Sequence, residues 1–197
     1  MIIDLGCGRN KHKGAIGVDN VKLETVDIVH DLLDFPYPFE NESAQCVILS
    51  HVLEHFSIDD IAQIMNEVYR ILARDGEVII SVPHAFSAAA FGDPTHKSFF
   101  IYNSFYFFTS NYQKAYYKVL NPQWQINRLW TTVNLFNDSF KPVSKSKQKL
   151  NSLCTKILMY FLKQSKSLTS PDLIVKLFPF WLVNIHCRLT KANTLKI

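Results

Sequence analysis

The 197-residue chain has no C-x-x-C pair among its four cysteines, Cys7, Cys46, Cys154 and Cys187. That spacing argues against a zinc ribbon, a dithiol redox motif or a disulfide framework, and it fits a reduced, cytoplasmic protein. A run of about 18 uncharged apolar residues is also missing, so no spanning helix is expected. Nor is an N-terminal leader, because Asp4 and Arg9 interrupt the first apolar stretch. Acids are scarce at one end. Residues 141–197 hold eleven Lys or Arg against the single acid Asp172, a net +10, whereas residues 1–140 carry −6. Hydrophobic content is 48% and charged content 19%, a globular rather than a disordered balance, and the length suits one domain with a sizeable core.

Glycine is sparse, with six in all, and two of them stand together in the first twenty residues, MIIDLGCGRNKHKGAIGVDN. The apolar run Met1–Ile3 ends at Asp4. Gly6, Cys7 and Gly8 follow as a tight turn. A second apolar run, Ala15–Val18, ends at Asp19 and Asn20. A strand that delivers the chain into a glycine turn leaves backbone N–H groups free and lets a ligand approach. An acid at the tip of the next strand can accept both hydroxyls of a ribose. A dinucleotide site would want G-x-G-x-x-G opening a helix, but Lys11 stands where the third glycine belongs and no good helix follows.

Further strands are expected at Val26–Val29, Cys46–Leu49 and Glu77–Val82. Between the last two, Ser57-x-x-Asp60 reads as a helix cap. Ile58, Ile61, Ile64, Met65, Val68, Ile71 and Leu72 give one apolar face, and Asp75-Gly76 is expected to end the helix. The link Arg9–Gly14 is too short for a crossover helix. Beyond Pro83 come a small-residue stretch and an aromatic run, Phe99 to Phe108, expected to be helical and mostly core. Trp124–Phe136 and His186–Leu189 read as late strands. A basic amphipathic helix, with Leu150, Leu153, Ile157, Leu158, Phe161 and Leu162 set among lysines, lies between them. Such a helix suits a packed domain face or an anionic membrane surface.

The ordered set DLGCG, GVD, VHDL, FPYPF to LEHF, and RDGEVIISVP resembles the class I S-adenosylmethionine-dependent methyltransferases of type 11. The resemblance covers residues 1–110 well and the rest loosely. It implies an α/β fold: a Rossmann-like, doubly wound, mostly parallel sheet with an antiparallel C-terminal strand pair and a helical insertion over 137–183. The cofactor it implies is S-adenosylmethionine, held by Asp4, Gly6, Cys7, Gly8, Asp19, Asn20, Asp31, Leu32 and Ser50. Asp31 would meet the adenine amino group, Leu32 the ring, and Ser50 and His51 the sulfonium.

Residues 83–122 are expected to face substrate, with His55, His84 and Asp93 toward the acceptor. A hydroxyl acceptor needs a base, and histidine suits neutral pH; His96 is favoured, with His51 second. Glu54 with His51 or His55 offers metal ligands, but no third is evident at a diagnostic spacing, so no metal is expected. The basic tail directs attention to a small-molecule or lipid-linked acceptor and to peripheral contact with an anionic membrane rather than to nucleic acid. Two alternatives stand beside this reading: a non-catalytic binding protein on the same fold, and a nicotinamide-dependent oxidoreductase.

Overall fold

The computed structural model describes residues 1–109, 124–134, 149, 152, 153, 156 and 182–192. Seven strands form one sheet: β1 (Ile2–Leu5), β2 (Ile16–Asp19), β3 (Ile28–Val29), β4 (Ala44–Ser50), β5 (Leu72–Pro83), β6 (Trp124–Asn134) and β7 (Leu182–Lys191). Their order across the sheet is β3-β2-β1-β4-β5-β7-β6. The first five pair in parallel, and β7 runs antiparallel to both β5 and β6. This is the mostly parallel α/β sheet with an antiparallel C-terminal pair that the sequence implied. β1 and β4 are continuous apolar runs because both lie inside the sheet, where parallel strands are covered on two faces.

The order reverses at β1. The chain steps outward through β2 and β3, then returns to place β4 on the other side of β1. Such a switch opens a crevice beyond the carboxyl ends of the strands. The link from β1 to β2 holds turns and no helix, as its length required. It is stapled instead: Asp4 Oδ2 accepts the His12 N–H at 2.8 Å, Lys11 Nζ pairs with Asp27 at 2.8 Å, and Asp27 accepts the Gly17 N–H at 2.7 Å.

Helix α1 (Ile58–Ile71) begins where the cap predicts. Ser57 and Asp60 form a full capping box, and Ile61, Ala62, Ile64, Met65, Val68 and Ile71 are buried. Its end differs from expectation. Leu72 turns extended while its N–H still reaches Val68, and it pairs with Ala44. The strand therefore takes over before Asp75-Gly76. Gly76 lies in a bulge of β5 where a Cβ would come within 3.0 Å of the Ala44 and Gln45 carbonyls. The residue is needed for close strand approach and not for a helix stop.

Helix α2 (Ala88–Gly92) and a 3-10 helix, Tyr102–Phe108, follow β5. The aromatic run is thus 3-10 in kind. Phe105 and Phe108 are core, but Tyr106 and Phe107 are exposed. Lys149, Ser152, Leu153 and Lys156, four positions of the expected basic helix, are helical and exposed. The rest of the 137–183 insertion up to Trp181, and residues 110–122 of the substrate-facing segment, lie outside the described residues. Among the described residues no helix is long and apolar enough to cross a membrane.

On the antiparallel pair, Arg128 sits 4.7 Å over Trp130, and Trp130 stacks on His186 at 5.2 Å. Burial first, and the charge of His51 second, hold His186 down to about 4. An unfolded histidine titrates near 6.5. The unfolded chain therefore binds a proton between these values that the folded chain refuses. Stability is expected to be level above pH 6.5 and to fall as pH drops from 6.5 toward 4. In urea denaturation, His186→Asn should flatten that decline.

Candidate active site

The crevice at the switch point is a cavity of about 330 Å³ lined by Gly6, Asp19, Asn20, Asp31, Leu32, His51, Val52, His55 and Phe56. Each lies at or just beyond the carboxyl end of one of the strands β1 to β4. The volume is at the low end of the ~300–1,000 Å³ usual for small-molecule sites.

The glycine turn forms the floor. Gly6 and Cys7 both donate to the Val18 carbonyl, at 2.8 and 3.1 Å. Gly8 donates to Asp19 Oδ2 at 2.9 Å. Gly6 has φ +68°, and a Cβ there would stand 2.6 Å from Val52 Cγ2. The turn and the end of β4 meet so closely that no side chain fits between them. Asp19 Oδ1 takes the Val21 N–H at 3.0 Å, which fixes the carboxylate at the strand tip beside the cavity.

The far wall is held from α1. Arg70 donates to the Tyr37 and Phe39 carbonyls, and Glu67 accepts the Tyr37 N–H at 2.7 Å. Burial alone would raise the Glu67 carboxyl, but the Arg70 hydrogen bonds outweigh it and hold the group below the usual range. The buried Tyr37 hydroxyl in turn donates to the Leu32 carbonyl at 2.9 Å, so a helix one layer away positions a cavity residue.

At the third wall, His51 adopts φ +56°, a left-handed backbone that non-glycine residues adopt seldom and mostly at functional positions. Its N–H bonds to the Ser81 carbonyl at 2.8 Å. Its Nδ1 lies 3.1 Å from Glu54 Oε1, and its Nε2 lies 3.4 Å from Asn184 Nδ2. A carboxylate accepts and an amide nitrogen donates, so both contacts place the ring proton on Nδ1 and leave a lone pair on Nε2. Glu54 is 1% exposed, a buried carboxylate set behind an accessible imidazole.

The residues expected in the site therefore divide. Gly6, Asp19, Asn20, Asp31, Leu32, His51 and His55 line the cavity. Asp4 does not: it is 2% exposed, and its Oδ2 takes both the backbone N–H and Nδ1 of His12. It braces the turn from beneath. Cys7 is buried, and burial first, then the Asp4 and Asp19 carboxylates, raise its thiol; it serves as packing. Gly8 acts through its N–H to Asp19. Ser50 remains within the sheet, paired in register with Ser81. His84 is fully buried and accepts the Phe86 N–H at 3.2 Å, so it faces the interior and not an acceptor. Asp93 is exposed and accepts from Thr95 N and Oγ1. His96 is off the cavity lining, edge-on to His55 at 4.8 Å. Val52 and Phe56, not singled out by the sequence, complete the lining; their only signal is their place just after β4.

The model of the methyltransferase domain family matches residues 8–80. Solved structures share the architecture. One is an S-adenosylmethionine-dependent methyltransferase from Archaeoglobus fulgidus, at 15% identity over 96% of this chain and 85% of that one, TM-score 0.57. Another is the YcgJ protein of Bacillus subtilis, at 16% identity over 98% and 92%, TM-score 0.50. Over residues 8–80 the chain is similar to the methyltransferase domain family, and over nearly all its length it shares the fold of these proteins. Coclaurine N-methyltransferase, bound to N-methylheliamine and S-adenosylhomocysteine, shares the fold at 12% identity over 96% of this chain and 67% of its own, TM-score 0.50. No curated protein sequence matches.

The match begins at Gly8 and runs into β5, so it takes in three of the four strand ends that form the crevice. The methyltransferase domain model over residues 8–80 supports S-adenosylmethionine as the cofactor. The residues suit a nucleoside: the Gly6 turn and the Asp19 carboxylate both line the cavity, and no helix N-terminus is offered to a pyrophosphate between β1 and β2.

Gly6→Ala is expected to cost the protein about 2–4 kcal/mol, from left-handed strain plus the Val52 contact. In a urea double-mutant cycle, adding Val52→Ala should recover part of that loss. Strict additivity would refute the contact.

Proposed function

We propose that the protein transfers a methyl group from S-adenosylmethionine to a nucleophile on a small-molecule or lipid-linked acceptor, with His51 as general base. The observation that carries this reading is the Glu54–His51 pair on the cavity wall. When bound, the cofactor supplies an activated methyl group on a sulfonium; displacement there demands an in-line nucleophile, so orientation supplies much of the rate. Asp19 holds the ribose and thereby sets where the donor end lies. Leu32, fixed through Tyr37, flanks the base, and Asp31 stands at the end of the same strand to accept its amino group. His51 takes the acceptor proton on Nε2 once the acceptor displaces the 3.4 Å contact with the Asn184 amide, and the buried Glu54 keeps Nδ1 protonated and stabilises the imidazolium that forms. His96, the base favoured from sequence, has its Nδ1 committed to the Ala90 carbonyl at 2.8 Å and lies off the cavity, which supports His51 in its place.

An apolar acceptor is supported by exposed aromatic surface beyond β5. Phe91 is 69% and Phe99 48% exposed, and the two rings stack at 4.9 Å. A cluster of this kind beside a cofactor crevice suits a lipid chain or a hydrophobic aglycone. Together with the +10 tail it supports work at an anionic membrane face.

Calorimetric titration with S-adenosylmethionine, S-adenosylhomocysteine and NAD is expected to give heat with the first two only. Asp19→Ala should weaken S-adenosylhomocysteine binding tenfold or more, the loss of one charge-assisted hydrogen-bonding partner. His51→Gln should leave that affinity within threefold and lower turnover about 100-fold or more, read as S-adenosylhomocysteine released with a panel of sugars and polyprenyl-linked sugars. Equal cofactor affinity in wild type and Asp19→Ala would contradict the ribose assignment. Cofactor binding without turnover on any acceptor would favour the non-catalytic alternative.

For the membrane face, Phe91→Ser with Phe99→Ser should cut sedimentation with phosphatidylglycerol vesicles at low salt severalfold. Sedimentation indifferent to lipid charge would remove that part of the reading.

A further inference from the structure

We propose that Glu54, His55 and His96 form a binding site for a divalent transition metal of the zinc class. The three come from two places: the 3-10 turn Leu53–His55 after β4, and the loop after α2. One ligand atom from each lies within 4.8 Å of the other two. Sequence spacing could not show the set, because His96 is forty-one residues beyond His55.

The hydrogen-bond pattern fixes what each group offers. The Ala90 carbonyl can only accept, so His96 Nδ1, 2.8 Å away, carries its proton. Thr95 Oγ1 donates to Asp93 Oδ1 at 2.7 Å. It therefore accepts from His55 Nδ1 at 2.9 Å, which is protonated as well. In the neutral rings both lone pairs are then on Nε2. Such anchoring of Nδ1–H by a carbonyl or through a carboxylate is how proteins orient histidine ligands to a metal.

Glu54 supplies the independent observation. Its Oε1 is committed to His51, but its Oε2 is buried and has no hydrogen-bond partner among the described residues. A buried carboxylate oxygen without a donor is costly. A ring nitrogen of each histidine and a carboxylate oxygen of Glu54, gathered within 4.8 Å of one another, call for a cation. Two histidines and a glutamate are a donor set that zinc takes in sites that keep a fourth position open.

With metal–ligand bonds of about 2.1 Å a tetrahedron sets its ligands ~3.4 Å apart, so the groups need to close by at most ~1.4 Å. The loop is already docked for this: the Glu54 carbonyl accepts from Lys97 and Ser98 N–H at 2.7 and 3.0 Å, and the Phe56 carbonyl from Ser98 Oγ at 2.7 Å. Because His55 also lines the cofactor cavity, the metal would stand in the wall of the acceptor side. It would pin the loop that carries Asp93 and His96, and through Glu54 it would couple to His51.

The test uses the full chain without an affinity tag. Co²⁺ is titrated with visible spectroscopy, then displaced by Zn²⁺ in calorimetry. One equivalent is expected, with d–d bands of a four-coordinate nitrogen and oxygen site. His96→Ala and His55→Ala should each weaken it at least tenfold, and Thr95→Val, which removes the partner of His55 Nδ1, about tenfold. Glu54→Gln should abolish it; should that variant fail to fold, His96→Ala, placed on a half-exposed loop, decides the matter. No d–d bands, a thiolate charge-transfer band, or wild-type affinity in both histidine variants would overturn the proposal. S-adenosylhomocysteine titration of the same samples reports separately on the methyltransferase reading, so failure of one is distinguishable from failure of the other.

Discussion

The Val18 carbonyl accepts from two successive N–H groups, those of Gly6 and Cys7, and the site is arranged around that junction. It closes the turn after β1 onto the end of β2 and brings Gly8 under Asp19. The pairing is possible only because Gly6 takes a left-handed backbone, and the approach of Val52 leaves it no room for a side chain. The cavity floor, the Asp19 carboxylate and the start of the β4 wall thus share one geometric condition. Asp4 supports it from below through His12. With no crossover helix between β1 and β2, the Asp4–His12 hydrogen bonds and the Lys11–Asp27–Gly17 chain do the work that helix packing would do elsewhere.

Glu54 plays a second, separable part. A carboxylate that is almost fully buried is costly unless both of its oxygens are matched. One oxygen meets His51; the other has no hydrogen-bond partner among the described residues. The residue therefore joins His51, through its side chain, to the loop at Lys97 and Ser98, through its carbonyl. The left-handed backbone at His51 is the local cost of aiming that ring across β7 toward Asn184.

Much of this was legible in the sequence. Period and capping gave α1 to within a residue at its start, because Ser57 and Asp60 satisfy the same orphan N–H groups that any helix start must satisfy. The strand tips at Asp19, Asp31 and His51 were legible because apolar runs end abruptly in polar residues at a parallel sheet edge. What the sequence hid is non-local. Asp75-Gly76 carries the signature of a helix stop, and only the pairing of Leu72 with Ala44 shows that the strand has already begun. Asp4 resembles a ligand-facing acid until the fold brings His12 back over it. His84 and His96 are alike as loop histidines in a string of letters, yet one is core and the other half-exposed against His55.

Those four loop histidines show how one residue type is given different tasks by its surroundings. His84 accepts a hydrogen bond in the interior and is structural. His51 has a carboxylate behind it and the cavity before it, the arrangement of a base. His55 and His96 have their Nδ1 protons spent on a threonine and a carbonyl, so what remains to them is a lone pair. A base needs its lone pair within reach of a substrate proton, whereas ring nitrogens gathered beside a buried carboxylate suit a cation. The partner of each Nδ1, more than the position of each residue in the chain, separates proton transfer from ligation in this site.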